Sequence, residues 1–207
     1  LHMLVTHRGE AKTISFEDYK SEMSNPDMTH ARYEREAPRA VDDVTYAAMI
    51  EALLIAGAKP DAPWDNGITM LMYGGVVTGK ALLTHGASIN ARDTGGSTPL
   101  HWARTPEKVE LLVAHGADIN ALATPPANDE NRRPHTPLQS KLLVGSPHDM
   151  AVVAALLRHG ANPKLKDGAG RSTLAYCTTL EGFKLIQGHG LDPKERLPDG
   201  GTLLHNL

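Results

Sequence analysis

With 41% apolar residues, a chain of 207 can bury a core, but its 4% aromatic content is too thin for a base-stacking platform that grips single-stranded nucleic acid. A net charge of −3 and a pI near 6.4 leave no basic footprint for a phosphate backbone, so no nucleic-acid partner is expected. The lone cysteine, Cys177, can form neither an internal disulfide nor a cysteine-based zinc site, and no apolar run approaches the roughly 20 residues of a membrane span.

Cysteine usage of this kind suits a reducing, cytoplasmic compartment. Leu1-His2-Met3 reads as a cloning remnant, which leaves a periplasmic or secreted location open if a signal peptide was removed. Residues 1–40 are polar and form an N-terminal arm or cap expected to cover the exposed core of the adjoining segment. Within it Phe16, Tyr19 and Met23 fall at helical spacing and predict one short amphipathic helix.

From Val41 the pattern hardens into a second domain, 41–207. The segment DDVTYAAMIEALLIAG predicts a helix with Val44, Ala48, Ile50, Leu53 and Leu54 on one side, ended by Gly57. Equivalent stops recur at Gly86, Gly116, Gly160 and Gly190, at intervals of 29, 30, 44 and 30 residues. A period near 30 with a helix stop, a turn and a helix start inside it marks a helical solenoid. After each stop comes a turn former: Asp61, Asn90, Asn120, Asn162 and Asp192. The clearest helix start is Thr98-Pro99-Leu100-His101, where Thr98 can cap free N–H groups and Pro99 loses nothing at the first helical position.

GSTPLHWA followed by VELLVAHGADIN resembles the ankyrin repeat, whose signature includes T-P-L-H-x-A. The resemblance covers residues 41–205 and implies an all-α ankyrin-repeat solenoid of about five repeats, stacked helix pairs with β-hairpin fingers. The family unit is 33 residues long; those ending at Gly86, Gly116 and Gly190 are shorter, which predicts first helices cut by a turn. TMLM (69–72) and STLA (172–175) lack the Pro and His, so their fingers should be less tightly braced. The longer unit ending at Gly160 places its excess in the finger at 123–135 and in the inter-helix turn at 144–149. TLLHNL (202–207) starts a further helix.

Eleven histidines tempt a metal reading. Yet His85, His115, His159 and His189 stand one per unit, about 8–10 Å apart on stacked helices, too far to share an ion. The resemblance implies that His101 and His205 brace neighbouring fingers. Cys177 has no adjacent base, the carboxylates are scattered, and no Walker-type glycine loop is present, so no enzyme, cofactor or metal is expected.

What the family does use is its concave face and finger tips, and the resemblance implies a protein partner there. On the fingers the candidates are Trp64, Asp65, Asn66, Thr94, Ser97, Arg132, Arg133 and Arg171. On the first helices they are Tyr73, Trp102, Arg104 and Tyr176. Tryptophan, tyrosine and arginine dominate interface energetics. The irregular lengths resemble small bacterial ankyrin proteins, implying an inhibitor or immunity protein that neutralises a toxin or enzyme; the alternative is a secreted effector docking on a host protein.

Overall fold

The computed structural model describes residues 2–7, 10–15, 43–64, 66–124 and 134–191. The chain divides into two compact units, Leu1–Tyr46 and Ala47–Leu207. In the first, β1 (His2–His7) pairs antiparallel with β2 (Glu10–Ser15), from His2 opposite Ser15 to His7 opposite Glu10. The helix expected at Phe16, Tyr19 and Met23 lies outside the described residues, as do Asp192, His205 and TLLHNL.

α1 (Asp43–Ile55) precedes four helix pairs. They are α2 (Met70–Tyr73) with α3 (Val76–Thr84), α4 (Pro99–Trp102) with α5 (Pro106–Ala114), and α6 (Pro137–Val144) with α7 (Pro147–Arg158). The last joins a 3-10 turn (Thr173–Tyr176) to α8 (Leu180–Gln187). First helices pack on first helices and second on second, so two rows share one core. Each unit supplies that core at matching positions. Leu71, Leu100, Leu138 and Leu174 come from the first row, and Leu82, Leu112, Leu156 and Ile186 from the second; all eight are buried. Removing a leucine of this kind from water contributes about 1.5–3 kcal/mol. Among the described residues no helix is long and apolar enough to cross a membrane.

The punctuation folds as its chemistry requires. Gly57, Gly86, Gly116, Gly160 and Gly190 have φ of 94°, 84°, 85°, 92° and 78°, left-handed values that a Cβ penalises. First helices of the short units span one turn of 4 residues, as their lengths predicted, against 8 in α6. There the inter-helix turn did not grow as expected. The extra residues continue α6 to Val144, and Gly145 (φ 68°) with Ser146 suffices to reverse the chain.

A second correction concerns α1. Ala47 and Leu54 are buried and Ile50 half-buried, but Val44, Ala48 and Leu53 are exposed. The inward positions are therefore Ala47, Ile50 and Leu54, at i, i+3, i+7 spacing, so the predicted side keeps Ile50 and Leu54 and loses the other three.

The turn formers after each stop do more than turn the chain. The Asp61 carboxylate accepts the Ser88 N–H at 2.9 and 3.0 Å, Asn90 accepts that of Asp118 at 3.0 Å, and Asn120 that of Asn162 at 2.8 Å. Each thus satisfies a backbone donor of the next unit. The ladder locks neighbouring repeats in register.

The His101 ring is the corresponding brace on the finger side. Its Nε2–H donates to the His135 carbonyl at 3.1 Å, as the family resemblance implied, while Nδ1 accepts from the Thr98 N–H at 3.1 Å. The Thr98 hydroxyl lies 3.0 Å from the same nitrogen, so the threonine serves the ring. In the next unit Gln139 takes over. Its Oε1 accepts the Thr136 N–H at 2.9 Å and its Nε2 donates to the Leu165 carbonyl at 3.0 Å. Where both are missing, the Thr69 and Ser172 hydroxyls are buried without a partner among the described residues. The fifth unit compensates: Thr173 donates its hydroxyl proton to the Leu165 carbonyl at 3.2 Å.

The fingers meet tip to tip, with the Thr94 N–H on the Asn66 carbonyl at 2.9 Å and the Gly168 N–H on that of Pro134 at 3.2 Å. Ala123 and His135 form a β-bridge outside the hairpin of the first unit. Gly96, at φ 73°, lies where a Cβ would run into the Thr124 backbone, whereas Gly170, at φ 77°, has open space around it. Gly96→Ala should therefore cost the left-handed strain of about 1–2 kcal/mol plus an overpacking term of about 1–3 kcal/mol. Gly170→Ala should show the strain alone. Urea unfolding of the two variants compares them, and equal losses would mean the fingers do not approach so closely.

Candidate partner-binding surface

Two positions of the repeat build the finger base. One lies five residues before the helix-start Thr or Ser, the other four residues after it. The first is Trp64, Asp93 and Asp167 in the second, third and fifth units; the second is Tyr73, Trp102 and Tyr176. In each finger these two side chains meet.

In the third unit the Trp102 indole N–H donates to Asp93 Oδ2 at 2.9 Å. Asp93 Oδ1 meanwhile accepts the Gly95 and Ser97 N–H groups at 2.9 and 2.8 Å, closing the tip. In the fifth unit the Tyr176 hydroxyl donates to Asp167 Oδ2 at 2.7 Å. Oδ1 accepts the Ala169 and Arg171 N–H groups, each at 2.8 Å. Arg171 adds a bond from Nε at 2.7 Å, and its guanidinium lies 5.1 Å from the Tyr176 ring centre. Burial alone would raise the Asp167 carboxyl, but the Arg171 and Tyr176 bonds hold it below the ordinary range. Burial and the Asp167 charge push the Tyr176 phenol up to about 12.

The second unit breaks this pattern. Trp64 stands where the others place an aspartate, and an indole cannot accept two backbone N–H groups. Its finger closes through main-chain bonds, Trp64 N–H to Ile68 O at 2.9 Å and Gly67 N–H to Trp64 O at 2.8 Å. The Asn66 side chain adds only a long bond, 3.4 Å, from the Ile68 N–H. The ring instead sits edge-on to Tyr73, centres 5.6 Å apart at 66°. Both rings stay open to solvent, Trp64 at 37% and Tyr73 at 48%. From the third unit the exposed Arg104 places its guanidinium 5.8 Å from the Tyr73 ring centre. A rule kept by two fingers is broken at the one position that yields exposed aromatic surface. Departures of this kind occur at functional or strained positions.

The remaining candidates divide. Arg171 and Tyr176 are committed to the Asp167 network, and the Trp102 N–H to Asp93. Asn66 and Thr94 are exposed on adjoining tips and Ser97 is half-buried beside them. Asp65, Arg132 and Arg133 lie outside the described residues. Cys177 is buried, and burial pushes its thiol up to about 12, far from a nucleophile's range. His85, His115 and His159 cap the C-terminal ends of α3, α5 and α7. Among the described residues no three His, Cys, Asp or Glu gather as a metal site would require.

Residue types alone placed Asp167 at a finger tip but did not single out Asp93, although aligning the fingers on their helix-start residues does. Nor did they reveal two buried lysines. Lys108 Nζ donates to the Gly74 and Gly75 carbonyls at 2.8 and 3.0 Å, satisfying the end of the truncated α2. Lys141 lies 3.7 Å from Asp149, and burial lowers its ammonium below the usual lysine range.

A family model of ankyrin repeats in three copies matches residues 39–123. An ankyrin repeat and SOCS box protein 6 from Pongo abelii is 31% identical over 135 residues, covering 59% of this chain and 30% of that protein. Its Homo sapiens counterpart is 30% identical over the same length, with the same coverage. The chain thus spans about a third of the length of these curated relatives. The solved ankyrin repeat domain of Bcl-3, a member of the IkappaB family, superposes with a TM-score of 0.62 at 25% identity, covering 91% of this chain and 84% of that one. Residues 39–123 thus carry ankyrin repeats, and the fold is that of an ankyrin-repeat domain. Ankyrin-repeat domains generally mediate protein–protein interactions.

Proposed function

We propose that the chain is a non-catalytic binding module that holds one partner protein through the surface formed by Trp64, Tyr73 and Arg104, with the Asn66 and Thr94 tips at its edge. The observation that carries this reading is the exposed Trp64–Tyr73 pair, gained where the other fingers spend the position on an Asp cap. Two rigid rings in contact give large area for little side-chain entropy, and the backbone bonds of the repeat hold them before any partner arrives.

Capture of proteins from the source organism on the full chain tests it. One stoichiometric partner should be retained by the wild type and lost by a Trp64→Ala, Tyr73→Ala double variant with an unchanged circular dichroism spectrum. A hot-spot pair of this kind is worth about 2 kcal/mol or more. Recovering no partner, or equal retention by the variant, overturns the reading. An inhibitor and a docking effector would both use this surface. The bound partner's own activity separates them: its loss on binding marks an inhibitor or immunity protein, its retention an effector or adaptor.

A further inference from the structure

The arginines of the described residues differ in what receives their protons. Arg92 donates to the Gly96 and Leu122 carbonyls at 2.8 and 2.7 Å, Arg158 pairs with Glu110 at 3.6 Å, and Arg171 binds Asp167. Arg104 has none of this. Among the described residues no carboxylate or carbonyl accepts from it, and the Tyr73 ring is its neighbour. A second positive charge stands close enough to oppose it electrostatically, that of Lys141. The Asp149 carboxylate beside Lys141 is already shared between Lys141 and the Ser146 hydroxyl. Arg104 is therefore an exposed, uncompensated cation beside an aromatic ring, with a planar fork of N–H donors shaped for a carboxylate.

Resting on the binding reading above, we propose that this surface recognises an acidic segment of the partner protein. A carboxylate pairs with the Arg104 guanidinium, and an adjacent apolar side chain lies against the Trp64 and Tyr73 rings. Arginine stacked on an aromatic ring retains its hydrogen-bonding edge, so both contacts can form together. The chain's net charge of −3 gives no long-range attraction for an anion. Recognition is accordingly short-ranged, with specificity in the contact rather than in steering.

Panning a phage-displayed library of random peptides, each about twelve residues long, against the full chain supplies the test. The enriched peptides should carry Asp or Glu next to an apolar residue. Arg104→Glu should weaken them roughly ten- to hundredfold, Arg104→Lys should weaken them less, and Trp64→Ala should also release them. Peptides that need Trp64 but lack an acid, or that bind Arg104→Glu as well as the wild type, overturn acid recognition while leaving the surface standing. No enrichment, or peptides indifferent to both Trp64 and Arg104, overturns the two together.

Discussion

Replacing Asp167 by alanine is expected to destabilise the repeat array by about 1–3 kcal/mol, the cost of leaving buried donors without their acceptor. The carboxylate is fully buried and receives four donors: the Ala169 and Arg171 N–H groups, Arg171 Nε and the Tyr176 hydroxyl. An alanine leaves two backbone donors and a buried phenol without their acceptor, while the half-exposed Arg171 guanidinium can turn to water. Asp167→Asn keeps an acceptor for the two backbone groups and loses the charge, so it should fall between alanine and wild type. Urea unfolding followed by circular dichroism measures both. A loss below about 1 kcal/mol for alanine would be that of an ordinary surface turn and would contradict the network.

A second large effect is one of pH. Burial lowers the His101 imidazole from 6.5 to about 4 in the folded chain. Its two hydrogen bonds require the neutral ring, Nε2–H donating to His135 O and Nδ1 accepting from Thr98. Above pH 6.5 neither folded nor unfolded chain takes up this proton, and the contribution is fully present. Between pH 6.5 and 4 the unfolded chain binds it and the folded chain does not, so stability falls as pH falls. At 1.36 kcal/mol per unit, the loss attributable to this residue reaches about 2 kcal/mol by pH 5. His101→Gln isolates it, because Gln139 already fills the same role in the next unit with a group that does not titrate. The stability difference between pH 7 and pH 5 should shrink by about 2 kcal/mol in that variant. An unchanged difference would show that His101 is not the group responsible.

The ankyrin-repeat fold and the stacking of helix pairs were legible in the sequence because repetition separates framework from the rest. A glycine that recurs at each helix end, before Ala (Leu in the last) and then Asn or Asp, has one physical explanation, and all five adopted the left-handed backbone it demands. The role of His101 was legible through the family resemblance. Side-chain economy was harder to read. That Asn90 and Asn120 reach into the next repeat, or that α6 absorbs extra residues which looked like turn, depends on which donor lies unsatisfied nearby. A sequence does not display that. Composition likewise grouped Trp64, Trp102 and Tyr176 together as interface residues. Their equivalent positions separate them: Trp102 and Tyr176 bond to an aspartate of their own finger, and Trp64 has displaced that aspartate.

We propose that Trp64, Tyr73 and Arg104 form the surface a partner covers. Hydrogen–deuterium exchange on the full chain, alone and bound to the partner it captures, addresses it directly. Protection on binding should concentrate at residues 62–68, 70–75 and 102–105, with the second-helix ends at His115 and His159 unchanged. Protection confined to those helix ends, with none at 62–75, would place the partner on the opposite row and contradict the account.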